Sequence, residues 1–305
     1  HSIWYKNMNK IRLKILNIVT KLRYKLSACL YTVFFVMKNN ICEKYYICSR
    51  GIGDTIIFLS RLNNYYDKYG KKVNIIIAEN QKCLIKPYKN YINKSIVLPT
   101  SKIILLTEMV YNYKIYENKL QFILPSDAEK LLSKSNLFDL MGSTLDITGD
   151  DFEPPNFDEL DVNDVFVGEL ESLRDEKYVF LAPASVSVSQ MEQSVWKEIA
   201  DICKKYGFIV VENENKNYQQ KIGDIEVFKS IDETYLIAKK ASFIISARSG
   251  LSDLLAYTKS PMMVIYPNKW SLEKFTFSKM PFSRHIIEIV EDGKLIQIVE
   301  EMLCH

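Results

Sequence analysis

Histidine is nearly missing from this 305-residue chain: there are three, His1, His285 and His305, and two of them lie at the extreme ends. A single interior histidine argues against a histidine-rich metal centre and removes the side chain most often used as a general base. The six cysteines (Cys29, Cys42, Cys48, Cys83, Cys203, Cys304) form no Cys-x-x-Cys pair and do not cluster. They read as reduced thiols of a cytoplasmic protein, not as a zinc site or a disulfide framework. The uncharged run Leu26 to Met37 has 12 residues, short of the roughly 20 needed to cross a hydrocarbon core. Catalysis, if there is any, must rest mainly on Asp, Glu, Arg, Lys, Ser or Tyr.

What is present is charge, unevenly placed. The formal net charge is +3, but residues 1–44 carry nine basic side chains against one acid. That is +8 for the segment and leaves −5 on the remaining 261 residues, a mildly acidic body with a basic arm. Within the arm Ile11, Ile15, Ile18, Leu22 and Leu26 recur at helical spacing, and Lys10, Lys14, Lys21 and Lys25 run beside them. Such a pattern suits a helix lying in an anionic membrane interface over residues 10–37, and equally an amphipathic helix packed on its own domain. A secretory signal has a similar charge and apolar pattern, but Lys38-Asn39-Asn40 follows where small-residue cleavage chemistry would stand. No aromatic-basic motif or recognition-helix pattern accompanies the arm, so nucleic acid is not expected as a partner.

The body alternates β-rich runs with helical stretches. Strands are expected at 45–49, 73–78, 95–98, 103–106 and 120–124, with helices over 55–69, 81–91 (broken at Pro87) and 127–140. A turn-rich acidic stretch, Thr148 to Asn156, then marks a domain boundary. After it the pattern restarts: strands at 178–181, 208–211, 225–228, 243–246 and 262–266, and helices near 195–206, 234–239 and after Ser249. Short apolar strands separated by helices argue parallel sheets covered on both faces. The expected organisation is a basic amphipathic segment at 1–44, Rossmann-like domains at 45–155 and 156–290, and a C-terminal helix at 291–305.

Ligands of open α/β sheets bind beyond the strand C-termini, and two turns there carry chemistry. Ser49-Arg50-Gly51-Ile52-Gly53-Asp54-Thr55 joins the first strand to the first helix. Its glycines let the backbone approach a ligand, and Asp54 stands at a helix N-terminus, where an aspartate can also serve simply as a cap. The dinucleotide fingerprint fails because Ile56 occupies its third glycine position, and no Gly-Lys-Ser/Thr follows for a Walker loop. The second turn is Ala247-Arg248-Ser249-Gly250-Leu251-Ser252-Asp253, where Ser249 and Gly250 offer backbone N–H groups and Arg248 a fork to a diphosphate. Its plain alternative is a capped helix with a surface arginine.

The two turns, one in each half, belong to a longer series: GIGDTIIFLSRL, Phe138-Asp139-Leu140-Met141-Gly142, the Pro154-Pro155 linker, FLAPAS with Trp196 opening the next helix, Ile231-Asp232-Glu233, AKKASFIIS, RSGLSDLLA and MMVIYP. In that order and spacing, over most of residues 45–267, the chain resembles the heptosyltransferase-like glycosyltransferases. The resemblance implies an α/β GT-B fold, in which two Rossmann-like βαβ domains face a cleft. It also implies that Asp54 is the general base that deprotonates an acceptor hydroxyl, and that Ser249 and Gly250 hold the donor diphosphate. Three departures stand out: Arg248 where the family usually has Asp, Asp253 where it often has His, and no lysine just before Trp196. Arg248 is therefore expected to neutralise the diphosphate, with a donor other than ADP-heptose.

Arg50, Gly51, Gly53, Ser185, Ser187, Asn213, Phe228, Lys229 and Asp253 are weaker candidates for cleft contacts, Phe228 and Lys229 lying where such folds often hold the nucleotide base. The expectation is an inverting, metal-independent glycosyltransferase without a cofactor. It would use a nucleotide sugar and a lipid-linked or surface-polysaccharide acceptor on the cytoplasmic face of the cell membrane. A nucleotide-sugar epimerase of the same fold and a non-catalytic scaffold are the competing readings.

Overall fold

The computed structural model describes residues 2–114, 116–125, 127–132, 135–157, 165–185, 188–214, 220–282 and 285–304, and on the first helix it describes side chains at Lys14 and from Leu16 onward. Two parallel sheets form the body. The first contains β1 (Tyr45–Ile47), β2 (Val73–Ala78), β3 (Ile92–Leu98) and β4 (Leu120–Phe122) in the order β3-β2-β1-β4. The second contains β5 (Tyr178–Ala182), β6 (Ile209–Asn213), β7 (Ile225–Val227), β8 (Phe243–Ala247), β9 (Met262–Tyr266) and β10 (Ile286–Val290) in the order β10-β9-β8-β5-β6-β7. Strands β2 and β9 are buried at every position, which is why VNIIIA and MMVIY are apolar without alternation, apart from the hydrogen-bonded Asn74. The edge strand β3 instead exposes Asn93, Lys94 and Ser95, polar groups that blunt an open edge.

Around the first sheet lie α1 (Ser2–Lys38), α2 (Ile52–Ser60), α3 (Leu62–Tyr69), α4 (Thr100–Tyr113), α5 (Ala128–Leu131) and α6 (Leu137–Thr144); around the second lie α7 (Gln193–Lys205), α8 (Ile231–Lys240), α9 (Gly250–Leu255), α10 (Lys269–Phe275) and α11 (Leu295–Leu303). Four expectations change, one being that the helix expected over 127–140 is two helices, α5 and α6, with Asn136 extended before the second. Residues 103–106 lie inside α4, because Ile103, Leu106, Met109 and Val110 are buried at helical spacing and Pro99 opens the helix. The stretch around Pro87 is a chain of 3-10 turns over Glu79–Tyr91. The expected helix over 55–69 is two helices meeting at Arg61, where the Ser60 carbonyl accepts from the Glu153 backbone N–H at 2.9 Å.

In each sheet the chain runs outward from the first strand (β1-β2-β3, β5-β6-β7) and then returns to that strand's other side (β4, β8). Each sheet thus has a switch point, at the C-terminal ends of β1 and β5, where two successive crossovers diverge and leave a crevice. The turn Ser49–Asp54 leaves one, and the loops after β5 and β8 leave the other.

The segment between the sheets is tied into both. Phe152 packs edge-on to Phe138, Tyr257 and Phe282 at 5.7–6.0 Å between ring centroids. Arg61 is 1% exposed, lies 4.0 Å over the Phe138 ring, and donates to the Gly149 and Asp151 carbonyls at 2.6 and 3.0 Å. Its guanidinium thus satisfies backbone oxygens that no regular element serves. Arg61→Met keeps much of the apolar stem but leaves those carbonyls unpaired, and should lower unfolding stability by about 2–4 kcal/mol in urea titration. A loss within about 0.5 kcal/mol, typical of an exposed surface position, would show that the clamp carries no weight.

Candidate functional site

The β1 turn is held from within. Asp54 stands in the first turn of α2 and accepts from the Ser49 hydroxyl at 2.7 Å, while the Ser49 oxygen accepts from Gly51 N–H at 3.1 Å. Behind it Gln81, fully buried, donates to the Arg50 carbonyl at 2.7 Å and accepts from the Thr55 hydroxyl at 2.9 Å. Gln81 therefore sets the shape of the turn, and nothing in its sequence neighbourhood, a glutamine in a polar stretch after a strand, singles it out.

The turn meets its counterpart across the domain junction. A Cβ placed on Gly250 would lie 3.0 Å from the Gly53 backbone nitrogen, and one on Gly53 would lie 2.0 Å from Asp253 Oδ2. No side chain fits at either position, so the N-termini of α2 and α9 touch. Ser249 caps α9, accepting from Ser252 N–H at 3.2 Å while its own N–H donates to the Ser252 hydroxyl at 2.9 Å. The plain capping role is thus real for Ser249, and it coexists with a place on the cleft wall.

Two concavities flank this contact. A cleft of about 560 Å³ is lined by Arg50, Gly51, Asn213, Phe228, Lys229, Ser249 and Gly250, bringing together seven of the residues singled out in the sequence. Phe228 is 74% exposed there, in a crevice edged by glycines and lined by Arg50, Lys229 and Glu214. Asp54, Arg248 and Asp253 line a separate, smaller cavity of about 110 Å³.

Arg248 sits differently from the expected diphosphate fork. Its guanidinium is buried and pairs with Asp253 at 2.9 Å; it also donates to the Phe275 carbonyl at 2.9 Å and the Ser249 carbonyl at 2.8 Å, and lies 4.6 Å over the Phe277 ring. It faces the Asp54 cavity, away from the cleft that Ser249 and Gly250 line. A carboxylate five residues on captures it, a partner that α9 places and the sequence spacing does not show. Ser185 is buried, donating to the Arg248 carbonyl at 2.8 Å and so bracing the loop. Ser187 lies outside the described residues. Glu212 is buried and accepts from Ile222 and Gly223 N–H, a loop anchor. His285 is half-buried, its imidazole pushed down in pKa by that burial, and stands apart from both concavities.

Of the charged residues that line the Asp54 cavity, Arg248 and Asp253 are buried and Asp54 is partly buried. Burial raises the Asp54 pKa, and the Ser49 hydrogen bond and the Arg248 charge pull it back. Burial likewise raises Asp253, to about 6, against the pull of Arg248 and with a further push from Asp54. A carboxylate so placed is a stronger base than one in water. Among the described residues no three His, Cys, Asp or Glu side chains come together to hold a metal ion.

No protein-family model and no curated protein matches the chain by sequence. Solved structures do match in fold. The E. coli ADP-heptose lipopolysaccharide heptosyltransferase II aligns with TM-score 0.61 and 12% identity over 86% of this chain and 98% of its own. The E. coli heptosyltransferase WaaC, solved with ADP, aligns with TM-score 0.55 and 12% identity over 85% and 98%. TibC, a dodecameric iron-containing glycosyltransferase of enterotoxigenic E. coli, aligns at 0.54 and 14% over 80% of this chain, which spans 62% of TibC. The fold is that of the heptosyltransferase-like GT-B glycosyltransferases.

Within that fold the Arg248–Asp253 pair is a stability element with a pH signature. Arg248→Met leaves a buried carboxylate without its counter-charge, which should cost about 3–5 kcal/mol near pH 7.5. The Asp253 pKa, already raised in the folded state, then rises further. A group raised on folding stabilises below its unfolded pKa and loses that contribution as pH climbs through the folded value, so the deficit should shrink near pH 5, where Asp253 is neutral. Equal deficits at the two pH values, by chemical denaturation, would remove Asp253 from the pair.

Proposed function

We propose that the chain is an inverting glycosyltransferase that moves a sugar from a nucleotide donor to an acceptor hydroxyl. The observation that carries this reading is the placement of Asp54, a desolvated carboxylate at the contact between two switch points, with an open cleft beside it. The donor lies in the cleft, its base against Phe228 and its diphosphate between Arg50, Lys229 and the N–H groups at the Ser249–Gly250 turn. Those charges and dipoles stabilise the departing diphosphate without a metal. The acceptor approaches from the other cavity. Asp54 accepts its hydroxyl proton while the oxygen attacks the anomeric carbon, and the carbon–diphosphate bond breaks on the opposite face with its electron pair leaving on the nucleotide.

In this reading Arg248 is a positioning charge. Paired with Asp253, it opposes the rise in the Asp54 pKa that burial alone would cause. The nucleotide-sugar epimerase and the non-catalytic scaffold remain as outcomes of the test below.

The location we propose is the inner face of the cell membrane, and α1 supports it. Ala28, Thr32, Phe35 and Val36 bury one face of α1, which packs against α4, and Lys25 stacks 5.1 Å over the Tyr113 ring. The opposite face is open: Ile18, Leu22, Leu26, Leu30, Phe34 and Met37 are exposed large apolar side chains along one stripe. One face of the helix thus packs on the protein, and the exposed face is the one the membrane reading uses. No helix among the described residues is long and apolar enough to cross a membrane, and an apolar stripe edged by Lys14, Lys21, Arg23 and Lys38 is suited to the interface instead.

Two measurements test the reading. At least one of ADP, GDP, UDP, CDP and TDP should raise the melting temperature, and with the matching nucleotide sugars Asp54→Asn should retain that binding while losing transfer by about a hundredfold to ten-thousandfold. Donor turnover without net release of nucleotide would mean epimerisation, and binding without turnover a scaffold. Separately, Leu22→Glu with Leu26→Glu and Leu30→Glu, at sites 60–62% exposed, should leave the fold intact and abolish sedimentation with phosphatidylserine vesicles; unchanged sedimentation would place the stripe elsewhere than the membrane.

A further inference from the structure

The cavity beside Asp54 has walls of an unusual kind for a carbohydrate subsite. Leu124, Ala128, Leu132, Leu137, Phe275 and Met280 are on its lining. The uncharged polar side chains among its described residues are already engaged. Asn136 caps α6 by accepting from Asp139 N–H at 2.8 Å, and its amide donates to the Lys279 carbonyl at 2.9 Å and the Asp139 carboxylate at 2.8 Å. The Ser135 hydroxyl donates to the same carboxylate at 3.1 Å, and the Thr276 hydroxyl donates to Glu288 at 2.8 Å. Arg248 and Asp253 hold each other.

A pyranose carries hydroxyls around its ring, and each one taken out of water without a partner costs free energy. Against these walls, Lys274 and Lys279 apart, most of them would face hydrocarbon or groups already paired. An aliphatic chain or an aromatic ring loses nothing there and gains from burial, and a volume of about 110 Å³ is of the order of the apolar cavities that take up a benzene-sized guest. Asp54, one oxygen on Ser49, is the acceptor group that the cavity presents to an incoming hydroxyl.

Resting on the glycosyltransferase reading, we infer that the acceptor is an alcohol on a hydrocarbon frame: a single hydroxyl reaches Asp54 from an aliphatic or aromatic group seated in this cavity. The acceptor O–H proton passes to Asp54, the oxygen forms the new bond to the anomeric carbon, and the nucleoside diphosphate departs with the bonding pair. Lys274 and Lys279 are also on the lining.

The test uses the full chain and two small probes, 1-hexanol and methyl glucopyranoside, in saturation-transfer NMR. Ala128→Phe fills the cavity, and Leu132→Asn puts an amide in its wall at nearly constant volume; a nucleoside diphosphate thermal shift on the same samples reports folding and the donor cleft. Hexanol should receive saturation from the unmodified chain, weakened roughly tenfold in both variants, and methyl glucopyranoside should receive none. Because the α1 stripe can also take up hexanol, only the part of the signal lost in the variants counts. The inference is overturned if hexanol transfer is the same in all three proteins, or if methyl glucopyranoside receives saturation that Ala128→Phe removes. Failure of every nucleoside diphosphate to stabilise the unmodified chain would instead overturn the glycosyltransferase reading, leaving the cavity's selectivity to be judged on the hexanol result alone.

Discussion

Two helices, one from each sheet, meet N-terminus to N-terminus at Gly53 and Gly250, and the rest of the molecule is arranged around that contact. It fixes how closely the two switch points approach, because any Cβ at Gly53 would enter the Asp253 carboxylate and any at Gly250 would press on the Gly53 backbone. It also divides the junction. Residues on one side of the two turns, Gly51 and Ser249 among them, face an open cleft, while Asp54, Arg248 and Asp253 face a small cavity. For the proposed in-line displacement the cavity and the cleft would have to open onto one carbon, since nucleophile and leaving group must address it from opposite faces.

Bringing two helix N-termini together has an electrostatic cost, because each carries partial positive charge. Each helix meets it with an acid in its own first turn, Asp54 on α2 and Asp253 on α9. Burial raises the pKa of both carboxylates and Asp54 raises that of Asp253 further, while the buried Arg248 cation lowers both. With Asp253 bound to it, the trio carries a net −1 when both acids are ionised, and the unpaired charge is the one on Asp54. An arginine free to leave for a ligand's phosphate would uncover a buried Asp253. The geometry therefore favours an Arg248 that stays in place.

Much of this was legible in the sequence, for reasons that differ by element. Buried parallel strands need uninterrupted apolar runs, so β2, β8 and β9 stand out in the sequence; α4 does not, since IILL fits a strand locally and only the spacing of Met109, Val110 and Tyr113 beyond it reveals a helix. The glycine turns are visible because close approach excludes other residues, and seven of the residues singled out do share one cleft. The partner of Arg248 was not legible. Arg248 and Asp253 are near in sequence, but whether an arginine turns inward depends on what covers it, and Phe275 and Phe277 come from a segment about thirty residues away. Gln81 and Arg61 escaped for the same reason: each serves backbone carbonyls of a distant loop, and a hydrogen bond to backbone leaves no signature in the partner's side chain.

The charge division bears on how such a molecule would sit at an anionic surface. Attraction between a surface and a chain of net +3 would be weak if the charge were spread evenly. Concentrated as +8 near α1 with −5 on the body, it acts over a Debye length of about 8 Å at physiological salt, so only the arm is within range when the helix lies on the surface. The body is repelled over the same distance. Because α1 packs on α4 through Ala28, Thr32, Phe35 and Val36 with its apolar stripe on the far side, attraction and repulsion favour a single orientation, stripe down and sheets up. A helix on a flexible tether would hold the body near the surface but leave it free to turn. Packed rigidly on the first sheet, this one would also fix the direction from which a surface-bound alcohol reaches the cavity beside Asp54.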